Sequence, residues 1–229
     1  TLGQALRNAA NCEPSKTALV GMGERITFRD YDARAEALAR GLLGLGVGKG
    51  DHVALWMVNC PTWILVWMAC SRIGAVLVPI NSRYKTEEAR YVVQQSDAKV
   101  LIAMDRYFGI DYLDMMRAMV PGLTKMTADR LACPDLPALQ VMVVWGDVPP
   151  AGFRALSDLR DPQREATPEA LGAAEAGVHV EDPAIIVYTS GTTGYPKGAV
   201  HSHVALRNSA NIARALHVGP DDVVLGHMP

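Results

Sequence analysis

Lys197 lies in the stretch Tyr188–His203, YTSGTTGYPKGAVHSH, where hydroxyls at Thr189, Ser190, Thr192 and Thr193 alternate with glycines at 191, 194 and 198. A backbone rich in glycine lets successive N–H groups converge on an anion, because no Cβ obstructs the approach. The hydroxyls add donors, and the lysine ammonium supplies a mobile positive charge that can follow a phosphate. A solvated turn accounts for the glycines but not for so many hydroxyl donors beside one lysine. The chemistry indicated is phosphate binding.

Two rival readings fail on the residues themselves. A Walker A loop needs Gly before its Lys and Ser or Thr after it, whereas Pro196 and Gly198 flank Lys197. The second glycine cluster, GLLGLGVGKGD (41–51), has Leu43 where that motif needs Gly and Gly50 where it needs a hydroxyl. It reads instead as a helix cap at Gly44 or Gly46 and a turn at Gly50-Asp51. His201 and His203 form a His-x-His pair without a Cys or carboxylate at ligand spacing, so they read as residues that orient a helix start. No metal site is expected within the chain. Trp63, Trp67 and Met68 fall at helical packing intervals and read as core. Arg29, Asp30, Arg83, Lys85, Glu87 and Glu88 read as caps and solvated faces.

The elements that must position this loop alternate along the chain. TALVGM (17–22) and RITF (25–28) form a hairpin about Gly23-Glu24, and Thr27 with Asp30 caps a helix reaching about Leu45. HVALWMV (52–58), AVLVPI (75–80), KVLIA (99–103), QVMVVW (140–145) and AIIVY (184–188) read as buried strands. Helices open at Asn59-Pro61 and Thr86, another follows from about Ser202, and DVVLGHM (222–228) reads as a last strand. Strands apolar on both faces, separated by amphipathic helices, predict an α/β fold with a mostly parallel sheet flanked by helices. Residues 147–181 read as a variable connection of loop and short helix.

Composition narrows the classes. The chain has 229 residues, 49% hydrophobic and 20% charged, with a formal net charge of −2. That balance excludes disorder and gives no basic field for nucleic acid. Cys12, Cys60, Cys70 and Cys133 form no regular spacing, which suggests reduced thiols and a cytoplasmic location. The start, TLGQALRNAANCEP, has no signal-peptide pattern, and the most apolar run, Trp63–Cys70, is too short to span a bilayer. The end on an apolar stretch suggests part of a longer protein.

YTSGTTGYPKG resembles the signature loop of the adenylate-forming superfamily, which comprises acyl-CoA synthetases, nonribosomal peptide synthetase adenylation domains and luciferases. The stretch from ITFRDYDARAEALARG to EEARYVV, together with EDPAIIVYTSGTTG and LGHMP, is similar to that superfamily's N-terminal region. The likeness is weakest over 105–180. It implies an incomplete N-terminal, AMP-binding domain spanning 1–229, taken from an AMP-forming acyl-CoA synthetase. Such an enzyme joins a small-molecule carboxylic acid to the α-phosphorus of ATP, releases pyrophosphate, and passes the acyl group to coenzyme A, with Mg²⁺ present. Thr189, Ser190, Gly191, Thr192, Thr193, Gly194 and Lys197 would then hold the β- and γ-phosphates, with Lys197 stabilising charge in the transition state. The family's acidic Mg²⁺ motif, its ribose-binding Asp and its C-terminal catalytic Lys have no counterparts here, so the fragment alone is expected to be inactive. A peptide-synthetase adenylation domain, a divergent P-loop NTPase or kinase, and a non-catalytic nucleotide-binding fragment are the alternatives.

Overall fold

A computed structural model describes residues 1–128, 131–146, 149–189 and 195–226. Its centre is a sheet of β3 (His52–Trp56), β4 (Val76–Pro79), β5 (Val100–Met104), β8 (Val141–Trp145), β9 (Arg154–Ala155), β10 (Pro183–Thr189) and β11 (Lys197–Ser202). The spatial order is β11-β10-β4-β3-β5-β8-β9, and every pairing is parallel except β10–β11. β5 is buried along its whole length, as a strand covered on both faces must be. Two small hairpins, β1–β2 (Thr17–Gly21, Glu24–Thr27) and β6–β7 (Arg106–Tyr107, Ile110–Asp111), lie outside this sheet.

Seven helices accompany the strands among the described residues: α1 (Leu2–Cys12), α2 (Phe28–Gly44), α3 (Pro61–Ile73), α4 (Thr86–Gln95), α5 (Tyr112–Met119), α6 (Pro168–Ala176) and α7 (Ala205–Ala215). β4 and β5 flank β3 from opposite sides. Right-handed connections therefore send α3 and α4 to opposite faces of the sheet. α1, α2, α3 and α6 pack together, while α4 packs with α5. The local signals hold where they were read. Thr27 Oγ1 accepts the Asp30 N–H, Pro61 opens α3, and Gly74 ends it in the left-handed region at φ 71°. Gly46 and Gly50 adopt φ of 78° and 83°, as expected of a cap and a turn.

Arg72 joins the four helices of one face. Its side chain is 1% exposed, yet it bonds Asp32 of α2 at 2.8 Å and Glu175 of α6 at 2.6 Å, with Glu36 at 3.2 Å. Arg7 of α1 reaches Glu175 at 2.7 Å. Burial, outweighing the attraction of Arg72 and Arg7, holds the Asp32 carboxyl above its ordinary value.

Three expectations change. α1 and α5 were not anticipated. Lys197–Ser202 is a strand, so the next helix begins at Ala205 and not near Ser202. Residues 222–226 form no strand, and Val223, Val224 and Leu225 are exposed.

Candidate functional site

The candidate loop is flanked by the stem of an antiparallel hairpin, β10 and β11, at the carboxyl end of β10. The other parallel strands point the same way, and it is outside these carboxyl ends that open α/β sheets bind ligands. β10 is tied into the sheet through Ile185 beside Leu77 of β4. Across the hairpin, Tyr188 faces Gly198 and Thr189 faces Lys197. The Thr189 hydroxyl donates to the Lys197 carbonyl at 3.5 Å, a long contact. The Lys197 side chain is exposed and has no ion pair among the described residues, so its ammonium is available to an anion. Thr189 and Lys197 thus stand as the two feet of the loop. Ser190, Gly191, Thr192, Thr193 and Gly194 lie outside the described residues.

Gly198 has a packing reason. A Cβ there would lie 2.8 Å from Ile186 Cγ2 and 3.3 Å from Tyr188 Cζ. The Tyr188 ring therefore lies over a strand position kept bare for it. Its hydroxyl donates to Gln95 Oε1 of α4. Burial chiefly, with Tyr91 and Asp97 adding to it, pushes the Tyr188 phenol up to about 12, so it keeps its proton. One turn earlier on α4, the Tyr91 hydroxyl donates to the Pro196 carbonyl at 3.3 Å. The Tyr91 ring stacks on Tyr195, centroids 5.0 Å apart and planes 28° from parallel. Sequence reasoning missed these partners. Tyr91 and Gln95 stand about a hundred positions from the loop, and only the fold brings them to it.

The histidines separate. His201 is exposed on β11, whereas His203 is 2% exposed. His203 Nδ1 accepts the Leu2 N–H at 3.3 Å, so the ring caps α1 and not the helix that follows it. Burial lowers the His203 pKa. Among the described residues no group of three His, Cys, Asp or Glu side chains could hold a metal ion. All four cysteines are free, and burial pushes the Cys70 thiol up to about 12, which leaves it unreactive. Trp63 and Trp67 meet edge to face at 5.7 Å and pack against the core, which Met68 joins.

A mostly parallel seven-stranded sheet flanked by helices defines a mixed α/β domain. The chain belongs to the AMP-binding enzyme family, whose model matches residues 6–229. It is 33% identical over 225 residues to YngI of Bacillus subtilis (strain 168), a protein given an acyl-CoA synthetase name, covering 97% of this chain and 41% of that one. Human ACSF2, a mitochondrial medium-chain acyl-CoA ligase, is 31% identical over 216 residues, covering 93% of this chain and 35% of that protein. Among solved structures, one from Rhodopseudomonas palustris CGA009, given the name long-chain-fatty-acid CoA ligase, superimposes with a TM-score of 0.81 at 30% identity. It covers all of this chain and 51% of its own. The anthranilate CoA ligase AuaEII, solved with anthranoyl-AMP, gives 0.75 at 28% identity, with 92% of this chain and 36% of that one covered. The chain therefore spans roughly two fifths of the length of these curated relatives.

Proposed function

We propose that the intact protein is an AMP-forming acid–thiol ligase that makes an acyl-CoA. The single observation that carries this reading is the hairpin stem. Thr189 and Lys197 stand face to face at the carboxyl end of β10, inside a chain of the AMP-binding family. In the proposed reaction a carboxylate oxygen attacks the α-phosphorus of ATP, and the bond to the bridging oxygen of pyrophosphate breaks. A thiolate of coenzyme A then displaces AMP from the acyl-adenylate. Negative charge grows on the departing pyrophosphate, and donors already fixed in place stabilise it without reorganising. Thr189, Ser190, Gly191, Thr192, Thr193, Gly194 and Lys197 would hold the β- and γ-phosphates, with Lys197 following the charge as it develops.

Mg²⁺ would enter with the triphosphate, and its protein ligands would come from outside the described residues. The chain reads as part of the N-terminal AMP-binding domain, inactive alone. α7 supports this: it is strongly amphipathic, yet none of its residues is buried, and Ile212 and Leu216 are exposed. A face of that kind fits a helix whose packing partner lies in further chain. Among the described residues no helix is long and apolar enough to cross a membrane, and the reduced thiols favour a cytoplasmic enzyme.

The test is ATP–pyrophosphate exchange in the full-length protein, dependent on an added carboxylic acid, with products resolved as AMP or ADP. Lys197→Ala is expected to slow exchange about 100-fold or more, since one such donor is worth ~2.7–4 kcal/mol in a transition state. Exchange at the parent rate in Lys197→Ala, or ADP as the product, would sink the reading.

A further inference from the structure

We infer that α4 is a brace for the phosphate loop, and that Tyr91 and Gln95 are positioning residues for it. This rests on the functional reading above for its kinetic consequence, but not for its structural one. Tyr91 and Gln95 stand four apart on α4 and so project from the same face of the helix. That face meets the hairpin on both strands. Gln95 takes the hydroxyl of Tyr188, the residue before Thr189 on β10. Tyr91 bonds the carbonyl of Pro196, the residue before Lys197 on β11, and stacks on Tyr195. Each foot of the loop is therefore held one residue from the atom that matters, by a helix belonging to another crossover.

The brace is needed because the rest of the hairpin is poorly supported. All of β11 up to Ser202 is exposed, and among the described residues it lies at the edge of the sheet and pairs with β10 alone. An antiparallel ribbon with one open edge twists and frays readily. A stacked aromatic pair contributes roughly 0.5–1.5 kcal/mol beyond its buried area, enough to set the angle of such a ribbon. Tyr195 is 71% exposed, so burial does not explain its ring, and its contact with Tyr91 is the interaction that places it.

The experiment uses the full-length protein with Tyr91→Ala, Tyr195→Ala, Tyr195→Phe and the double alanine variant. Tyr91→Ala and Tyr195→Ala are each expected to raise the KM for ATP about fivefold, with the KM for the acid unchanged. Tyr195→Phe keeps the ring and restores the parent KM. The double variant is no worse than Tyr91→Ala alone, since that change already removes the contact with Tyr195. In parallel, backbone hydrogen exchange across 186–200 should quicken about fivefold in Tyr195→Ala, a surface change that leaves the core untouched. An active parent whose alanine variants keep the ATP KM, or whose double variant shows the product of two independent effects, overturns the brace. A parent with no acid-dependent exchange sinks the functional reading instead. The brace is then decided by hydrogen exchange alone, and unchanged exchange across 186–200 rejects it.

Discussion

Replacing Arg72 by Met tests how one face of the sheet is held. The substitution keeps an apolar stem of similar reach but removes a guanidinium that is 1% exposed and bonds Asp32, Glu36 and Glu175. Removing one partner of a buried ion pair typically costs 3–5 kcal/mol, because the other is left uncompensated. Here Glu175 keeps Arg7 and Glu36 is 42% exposed, so the lower end applies, about 3 kcal/mol. With a urea slope near 2 kcal/mol/M, the unfolding midpoint falls by roughly 1.5 M. Glu36→Gln, which touches only the exposed arm of the network, is expected to cost at most about 1 kcal/mol. The pH dependence has a defined sign. Burial already raises the Asp32 pKa, and loss of Arg72 removes an influence that lowers it, so the pKa rises further. The folded variant then takes up a proton more readily than the unfolded chain. The gap between parent and variant is widest above the folded pKa of Asp32 and narrows as pH falls through it. The assay is equilibrium urea unfolding followed by tryptophan fluorescence at several pH values. A midpoint within about 0.25 M of the parent, at unchanged slope, would refute the reasoning, since apolar repacking would then offset the lost pairs.

Gly198→Ala is expected to cost about 1–3 kcal/mol in thermal unfolding and to raise the KM for ATP, because the new methyl must displace Ile186 and Tyr188. Gly48→Ala, where a Cβ meets nothing within 4 Å, is the neutral control. His203 gives a pH signature. Its folded pKa lies below its unfolded one, so the unfolded chain binds the proton first and stability falls as pH drops below about 6.5. The slope is at most about 1.4 kcal/mol per pH unit, and His203→Gln should flatten it; identical slopes between pH 7.5 and 5.5 would count against the cap on α1. Met22 sits in the β1–β2 turn at φ 52° and is exposed, so Met22→Asn should raise the melting temperature, relieving part of the ~1–2 kcal/mol that the left-handed region costs. A lower melting temperature would show that the Met22 side chain holds the turn.

The parallel strands were legible because VLIAM and VMVVW are apolar on both faces, which only a sheet covered on both sides allows. Gly46 and Gly50 were legible because their backbone angles exclude ordinary side chains. Thr189 and Lys197 were legible as residues, though not as partners. β11 escaped because it is held by backbone pairing at an open edge and carries no alternation of burial. α1 escaped because only Gly3 and Leu6 of its residues are buried. Arg72 escaped because nothing local reveals that Asp32, Glu36 and Glu175 converge on it. DVVLGHM (222–228) read as a strand from its apolar residues, but its described part, 222–226, pairs with no described strand.

Because Thr189 and Lys197 are paired, residues 190–196 leave and re-enter the sheet at fixed points. The entropy of closing a loop grows only as (3/2)RT ln n, so doubling these seven positions would cost about 0.6 kcal/mol in stability. The fold would register an insertion there only faintly. The same insertion would shift the hydroxyls of 190–193 relative to Lys197, which stays paired with Thr189. Under the proposed function, loop length here is therefore a constraint of catalysis and not of folding, and an insertion series should separate the two: activity lost at the first added residue, melting temperature nearly level throughout.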